Sequence, residues 1–408
     1  MCQPTEKLRN KFFYLISSLI AFLSFNSFAD GWPSWDHETA FVPFFYTSDS
    51  MGFTLGAAGL VKGVGQPQAG ILGIGLYSDK GSHLSYFSGV NYQLGDSWLL
   101  GADGYSAKFV EFDYFLGEQG GNASSANQTT ITDGRESNYR LSFRYVLPIG
   151  NAKNSGADAA LQSSRIITGK TPFESGVTTF ELQPFYSSRD LSINYDEPEE
   201  SWGVSFELDW DNRNDVRNPT KGSRTRLNMT YSPEYKADSG WTKLEFENSH
   251  YWDIGKLDDV FDKQVLAFSF YTADTPNWGD CNSQECHRPP EYERVMLGGL
   301  YRLRSYGSGR FHGRSAIHYS TEYRVMPDWQ PLGEWPVFNF YDVPWWQWVG
   351  FLDVGRVADE YNLKTLHTDM RWSAGGAIRF QVEGIVVRTE MAWGQEESMF
   401  RVMVNQPF

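Results

Sequence analysis

A period of two, repeated along nearly the whole chain, limits the fold more than any other feature. Over residues 202–211, Trp202, Val204, Phe206, Leu208 and Trp210 alternate with Gly203, Ser205, Glu207, Asp209 and Asp211. Over residues 139–145, Tyr139, Leu141, Phe143 and Tyr145 alternate with Arg140, Ser142 and Arg144, and residues 317–325 repeat the pattern. Alternation of this kind puts one set of side chains on each face of a β-strand. One face is aliphatic and aromatic, the other polar or charged. A soluble sandwich shows the same pattern, so the number of strands matters. Sixteen segments qualify, starting near Phe41, Phe53, Ile71, His83, Trp98, Tyr139, Thr178, Trp202, Arg224, Trp241, Val265, Ser315, Trp348, Trp372, Ile385 and Met399. An even number closes a barrel with both ends on one side of a membrane. The expected fold is therefore all-β: a transmembrane antiparallel β-barrel of about 16 strands over residues 41–408.

Composition agrees. No run approaches the ~18 consecutive apolar residues of a spanning helix. A mean hydropathy of −0.45 would suit a soluble protein, but alternate residues of a membrane barrel face a wet lumen. Aromatics at 16% and 39 glycines favour the barrel, whose girdles and bends use both.

Residues 1–29 read as a signal peptide. Lys7, Arg9 and Lys11 form a basic start, residues 12–25 are apolar, and Ser27 and Ala29 are small residues before a cleavage site. Residues 30–40 would then be a short periplasmic segment. Losing three basic residues and one acid takes the net charge from −15 to −17, which argues against nucleic acid as a partner. Outside the signal, Cys281 and Cys286 sit close together in a loop rich in Gly, Asn and Pro. Export to an oxidising compartment makes a disulfide between them the expectation. With His287 they are one ligand short of a structural zinc site, so no metal and no cofactor are expected.

Loops sort by side. Residues 118–135 and 273–313 follow outward strands and should be extracellular; residues 151–176 and the Trp-rich residues 326–346 should be periplasmic. At the end of the chain Phe400, Val402 and Val404 alternate towards Phe408, which resembles the C-terminal recognition signal of outer-membrane barrels. Gln406 and Pro407 depart from it.

Residues 209–231, DWDNRNDVRNPTKGSRTRLNMTY, resemble the BamA-like outer-membrane assembly superfamily, also called the bacterial surface antigen family. Asp211, Arg213, Pro219 and Gly222 match that family's Asp-x-Arg-Asp and Pro-x-x-Gly turn, with Asn214 where an aspartate is usual. Residues 297–313 look like its sixth extracellular loop, whose Arg-Gly-aromatic tip folds into the lumen; here the tip reads Arg304-Ser305-Tyr306. FLDVG at 351–355, carrying Phe351, Asp353 and Gly355, matches its Phe-x-Asp-x-Gly strand. The resemblance covers residues 41–408. Counted by twos, Asp353 shares a face with Phe351 and Gly355, and Glu322 points inward on the preceding strand. An arginine reaching this place meets two carboxylates, and a guanidinium can grip one in bidentate fashion. The resemblance implies that Arg304 and Asp353 lock the loop.

Members of the family commonly carry periplasmic POTRA domains, for which residues 30–40 are too few. The resemblance implies insertion of proteins into the outer membrane or translocation across it, with lipid and lipopolysaccharide around the barrel and a client or periplasmic protein as partner. A plugged or selective pore and a surface antigen barrel without transport remain alternatives. Catalytic residues are not expected, because the scattered Ser, His and Asp form no nucleophile motif.

Overall fold

The computed structural model describes residues 38–48, 51–234, 240–257, 260–279, 286–332, 335, 343–382, 385–404 and 406–408. The expected signal peptide, Cys281 and residues 333, 334 and 336–342 of the Trp-rich segment fall outside them. Sixteen strands pair antiparallel in one sheet, in chain order except for a small separate hairpin. They are β1 (Glu38–Ser48), β2 (Gly52–Lys62), β3 (Gly70–Ser78), β4 (His83–Leu94), β5 (Trp98–Tyr114), β6 (Thr130–Val146), β7 (Val177–Leu191), β8 (Glu200–Asp211), β9 (Gly222–Ser232), β10 (Trp241–Leu257), β11 (Phe261–Asp274), β14 (Ser315–Pro327), β15 (Trp346–Ala358), β16 (Arg371–Val382), β17 (Ile385–Gly394) and β18 (Ser398–Val404). The hairpin, β12 (Val295–Leu297) with β13 (Phe311–Gly313), lies in the loop before β14. Among the described residues no pairing joins β1 to β18, and β18 pairs with β17 through seven residues. Among the described residues no helix is long and apolar enough to cross a membrane.

The alternation becomes two unlike faces. Trp202, Leu208, Leu227, Tyr231, Leu244, Trp252, Tyr323, Trp348, Leu352, Ile378 and Phe400 are exposed on one. The other carries buried polar residues, among them Glu181, Ser205, Asp211, Ser249, Glu322 and Asp353. A broad apolar surface is costly in water and suits contact with hydrocarbon. The loop residues Leu297, Leu303, Tyr306 and Phe311 pack against Tyr271, Ala273, Ala316 and Val357 in the largest apolar cluster.

Three boundaries differ from the sequence reading. The polar stretch 118–135 is not all loop, because β6 begins at Thr130, paired with Tyr114. Its first residues, TITDGRES, carry too few apolar side chains to show a period of two. A bulge between Phe109 and Phe112, with Glu111 at φ 51°, also breaks the phase of β5. The stretch 273–313 begins inside β11 and contains the β12–β13 hairpin. Residues 151–176 are not plain loop either: they include a short helix, Asp158–Leu161, and Ala152, Ala157 and Ala159 pack on Leu99, Val146 and Val177.

Candidate functional site

The loop tip lies on the polar face, and Arg304 is its anchor. The side chain is fully buried. Nε and Nη2 bond the two oxygens of Asp353 at 2.9 and 2.8 Å, and the Arg304 backbone N–H donates to the same carboxylate at 3.2 Å. Nη1 reaches Glu322 at 2.6 Å. The guanidinium lies over the Phe351 ring, 3.6 Å from its centroid. Strand periodicity explains this grouping. Glu322 pairs with Phe351 in register and Ser320 with Asp353, so all four project from the same face. The Ser320 hydroxyl donates to Asp353 at 2.7 Å.

The tip adopts a tight turn with Leu303 at φ 48° and glycines 298 and 299 at positive φ. Ser305, where the family has glycine, donates its N–H to Ser373 Oγ on β16 at 3.0 Å, and the two hydroxyls are 2.9 Å apart. Gly394 is needed here, since a Cβ would come within 2.1 Å of Ser305 Oγ. Gly355 brings β15 close to the loop, where a Cβ would lie 3.0 Å from Leu297. Tyr306 is fully buried, edge-on to Phe311 at 5.0 Å, with its hydroxyl 3.5 Å from Gln395.

The sequence reading missed that the loop is also fixed to the last hairpin. Arg401 on β18 donates to three loop carbonyls: Gly299 at 2.5 Å, Arg304 at 2.9 Å and Tyr306 at 2.7 Å. Arg388 on β17 donates to Leu300 O at 2.5 Å. Glu396 takes Arg310 in a fork at 2.8 and 2.9 Å, and Glu397 accepts the Gly307 N–H at 3.1 Å. Around Glu322, Arg379 bonds at 2.6 and 2.8 Å and Arg324 pairs at 2.8 Å. Charged residues at inward positions of otherwise alternating strands were the available signal.

The second motif is a turn device. Arg213 grips Asp211 at 2.8 and 3.0 Å, and Arg165 joins at 3.0 Å. Asn214 Oδ1 accepts the N–H groups of Thr220 and Lys221 at 3.0 and 2.8 Å. A neutral amide therefore does the work expected of an aspartate. Pro219 is buried in this turn. Gly222 has φ 99°, and a Cβ there would meet Asn212 O at 2.0 Å.

Phe400 and Val402 are exposed on the apolar face. The side chain of Val404 is outside the described set. Phe408 does not continue the row, because β18 ends at Val404 and Phe408 is buried with Tyr251, Val265, Ala267 and Met326. Cys286 is disulfide-bonded; Cys281, its expected partner, lies outside the described residues. The neighbouring His287 bonds Gly240 O at 2.7 Å through Nδ1.

On the loop hairpin, His312 reaches Phe115 O at 2.9 Å. Burial pushes its imidazole below the usual histidine range, against the opposing pull of Glu291 and that carbonyl. Gly120 makes room for the ring: a Cβ there would lie 1.9 Å from Nε2.

Comparison with known proteins agrees with this architecture. The fold is similar to BamA from Haemophilus ducreyi lacking POTRA domains 1–3, with a TM-score of 0.53 and 15% identity over 91% of this chain and 70% of that one. It is also similar to CdiB from Escherichia coli, with a TM-score of 0.56 and 12% identity over 92% of this chain and 62% of that one. For CdiB from Acinetobacter baumannii the values are 0.52 and 10%, over 90% and 59%. The chain thus spans less than two thirds of either CdiB. No curated protein sequence matches. The Omp85 superfamily domain matches residues 64–401, more than half of the sequence, and the chain belongs to the Omp85 superfamily.

Proposed function

We propose that the sheet closes into a barrel in the bacterial outer membrane, with β1 meeting β18, lipid and lipopolysaccharide on the apolar face and the polar face around a lumen. We propose further that this barrel inserts client proteins into that membrane or moves them across it. Membership of the Omp85 superfamily supports this reading. The observation that carries it is the loop's double attachment. The tip is tied to β14 and β15 through Arg304 and to the β17–β18 hairpin through Arg388 and Arg401. The last strand therefore depends on the loop for its position, while its own pairing is short. A strand edge with free N–H and C=O groups takes up another strand by edge pairing. A loop that sets the position of such a strand controls where an incoming segment could join.

The test is to refold the protein into liposomes and time the folding of a small test barrel added outside. Faster folding than with empty liposomes, lost in Arg304→Ala or Asp353→Asn, is the expected result. With the protein shown to be folded, no acceleration would rule out unaided insertion.

The second reading is a plugged pore. It draws on the cavity of about 630 Å³ that remains beside the loop, lined by Arg213, Arg224, Arg226, Arg302 and Glu247. Planar-bilayer conductance that is small in the parent and rises sharply in Arg304→Ala would favour it.

A further inference from the structure

Beyond Val404 the chain leaves the sheet and crosses the polar face. Gln406 Oε1 accepts from Arg379 Nη1 on β16 at 2.6 Å, and its Nε2 donates to Arg217 O in the β8–β9 turn at 3.1 Å. Phe408 fills a cluster made by Tyr251 on β10, Val265 and Ala267 on β11, and Met326 on β14. Its ring is 6.2 Å from that of Tyr251. The Arg324 guanidinium lies 5.4 Å from the Tyr251 centroid and 5.5 Å from that of Phe408. The partners of Phe408 stand four or more places from β18 in the sheet. The segment is thus seated in a place built by other strands.

The seat has polar capacity that the segment does not use. Gln347 is fully buried and stands opposite Arg379 in the β15–β16 register. Among the described residues neither of its amide atoms has a hydrogen-bond partner, and the same holds for Arg379 Nε, Arg324 Nη1 and the Tyr251 hydroxyl. Arg324 and Arg379 share Glu322 as counter-ion, and Glu322 also serves Arg304. Buried polar groups are ordinarily satisfied. A donor-rich patch with one shared carboxylate, beside an aromatic cleft, is suited to an acceptor side chain next to a ring. The cavity of about 630 Å³ bordered by Gln406, Pro407 and Phe408 leaves room for a longer segment.

We propose that this seat is a peptide-binding site and that residues 406–408 are its built-in occupant. It takes an extended polypeptide segment with a side-chain acceptor two residues before an aromatic ring. A carboxylate is preferred to an amide, because the guanidinium groups outnumber the acid they share. The proposal rests on the reading of the protein as a handler of polypeptides, but its assay requires no insertion activity. Failure to accelerate barrel folding and failure to bind peptide are therefore separate results.

The experiment uses the full chain refolded in detergent micelles and a fluorescent nonapeptide, blocked at both ends, carrying Glu-Pro-Phe at its centre. Binding is read by anisotropy. The variant Gln406→Ala with Phe408→Ala should bind at least tenfold more tightly than the parent, whose own segment competes. Adding Arg379→Gln should remove the gain. A peptide with Gln for Glu should bind more weakly, and one with Ala for Phe should not bind. Parental affinity in the vacated variant, with folding verified by heat-modifiable gel mobility, overturns the proposal. So does equal binding of the peptide that lacks the ring. If the double variant does not fold, Phe408→Leu keeps the cluster filled while removing the ring from Arg324. An affinity between the parental and tenfold-tighter values is expected there, and parental affinity again overturns the proposal.

Discussion

Arg304 has three carboxylates near it, because besides Asp353 and Glu322 it lies 3.7 Å from Glu390. Removing the guanidinium leaves Asp353 buried without a cation, whereas Glu322 keeps Arg379 and Arg324. Breaking a buried pair from one side costs roughly 3–5 kcal/mol. Arg304→Ala should therefore lower the urea midpoint of unfolding, read by gel mobility, and Asp353→Asn in the same chain should recover part of the loss. An unchanged midpoint in Arg304→Ala would mean that the anchor contributes nothing. Arg304→Lys should resemble the alanine variant more than the parent, because an ammonium cannot make the planar fork. Gly222 is a simpler case. Its φ of 99° and the approach of Asn212 O mean that Gly222→Ala should cost at least about 1 kcal/mol, measured in the same way.

Among the elements, the β12–β13 hairpin carries a pH dependence. Because burial lowers the His312 pKa, the unfolded chain takes up a proton first, near pH 6.5 on average. The stability linked to this group is complete above that value and declines as the pH falls towards the lower folded value. Acidification below about pH 6.5 should raise protease sensitivity across residues 115–130, and His312→Asn should flatten the profile; an unaltered profile in that variant would exclude the histidine. The strands themselves were legible in the sequence, because residues such as Trp202, Val204, Phe206 and Leu208 occur at intervals of two and announce their face. So were Arg304, Glu322 and Asp353, once a family pattern supplied the loop. The attachment to β17 and β18 was not legible. Arg388 and Arg401 bond to backbone carbonyls, which any residue provides, so no sequence pattern marks the acceptors. The path of residues 406–408 was hidden for a related reason: Phe408 follows the row of Phe400 and Val402 by number, but the strand ends before reaching it.

At the scale of the whole molecule, the two faces make a prediction about solvent. Leu352 is exposed at mid-strand on β15, next to the buried Asp353. If the apolar face meets hydrocarbon, Leu352→Arg should destabilise the protein by about 2–4 kcal/mol in bilayers, measured by reversible urea unfolding in liposomes. A neutral result would reject that orientation. The grip of Arg401 on carbonyls of residues 299, 304 and 306 bears on the order of events in time. These contacts join positions 95–102 residues apart, while neighbouring strands pair locally. Contacts at such separation form slowly, because the chain entropy of closing a long loop is lost before any contact compensates for it. The strands should therefore pair first, and the docking of the loop onto β18 is the expected last step of this chain's folding. An Arg401→Ala chain should pause as a long-lived intermediate with its sheet formed and the loop open to protease, visible by pulse proteolysis during refolding. Refolding of that variant at the parental rate, with no such species, would show that the loop does not wait for the strand.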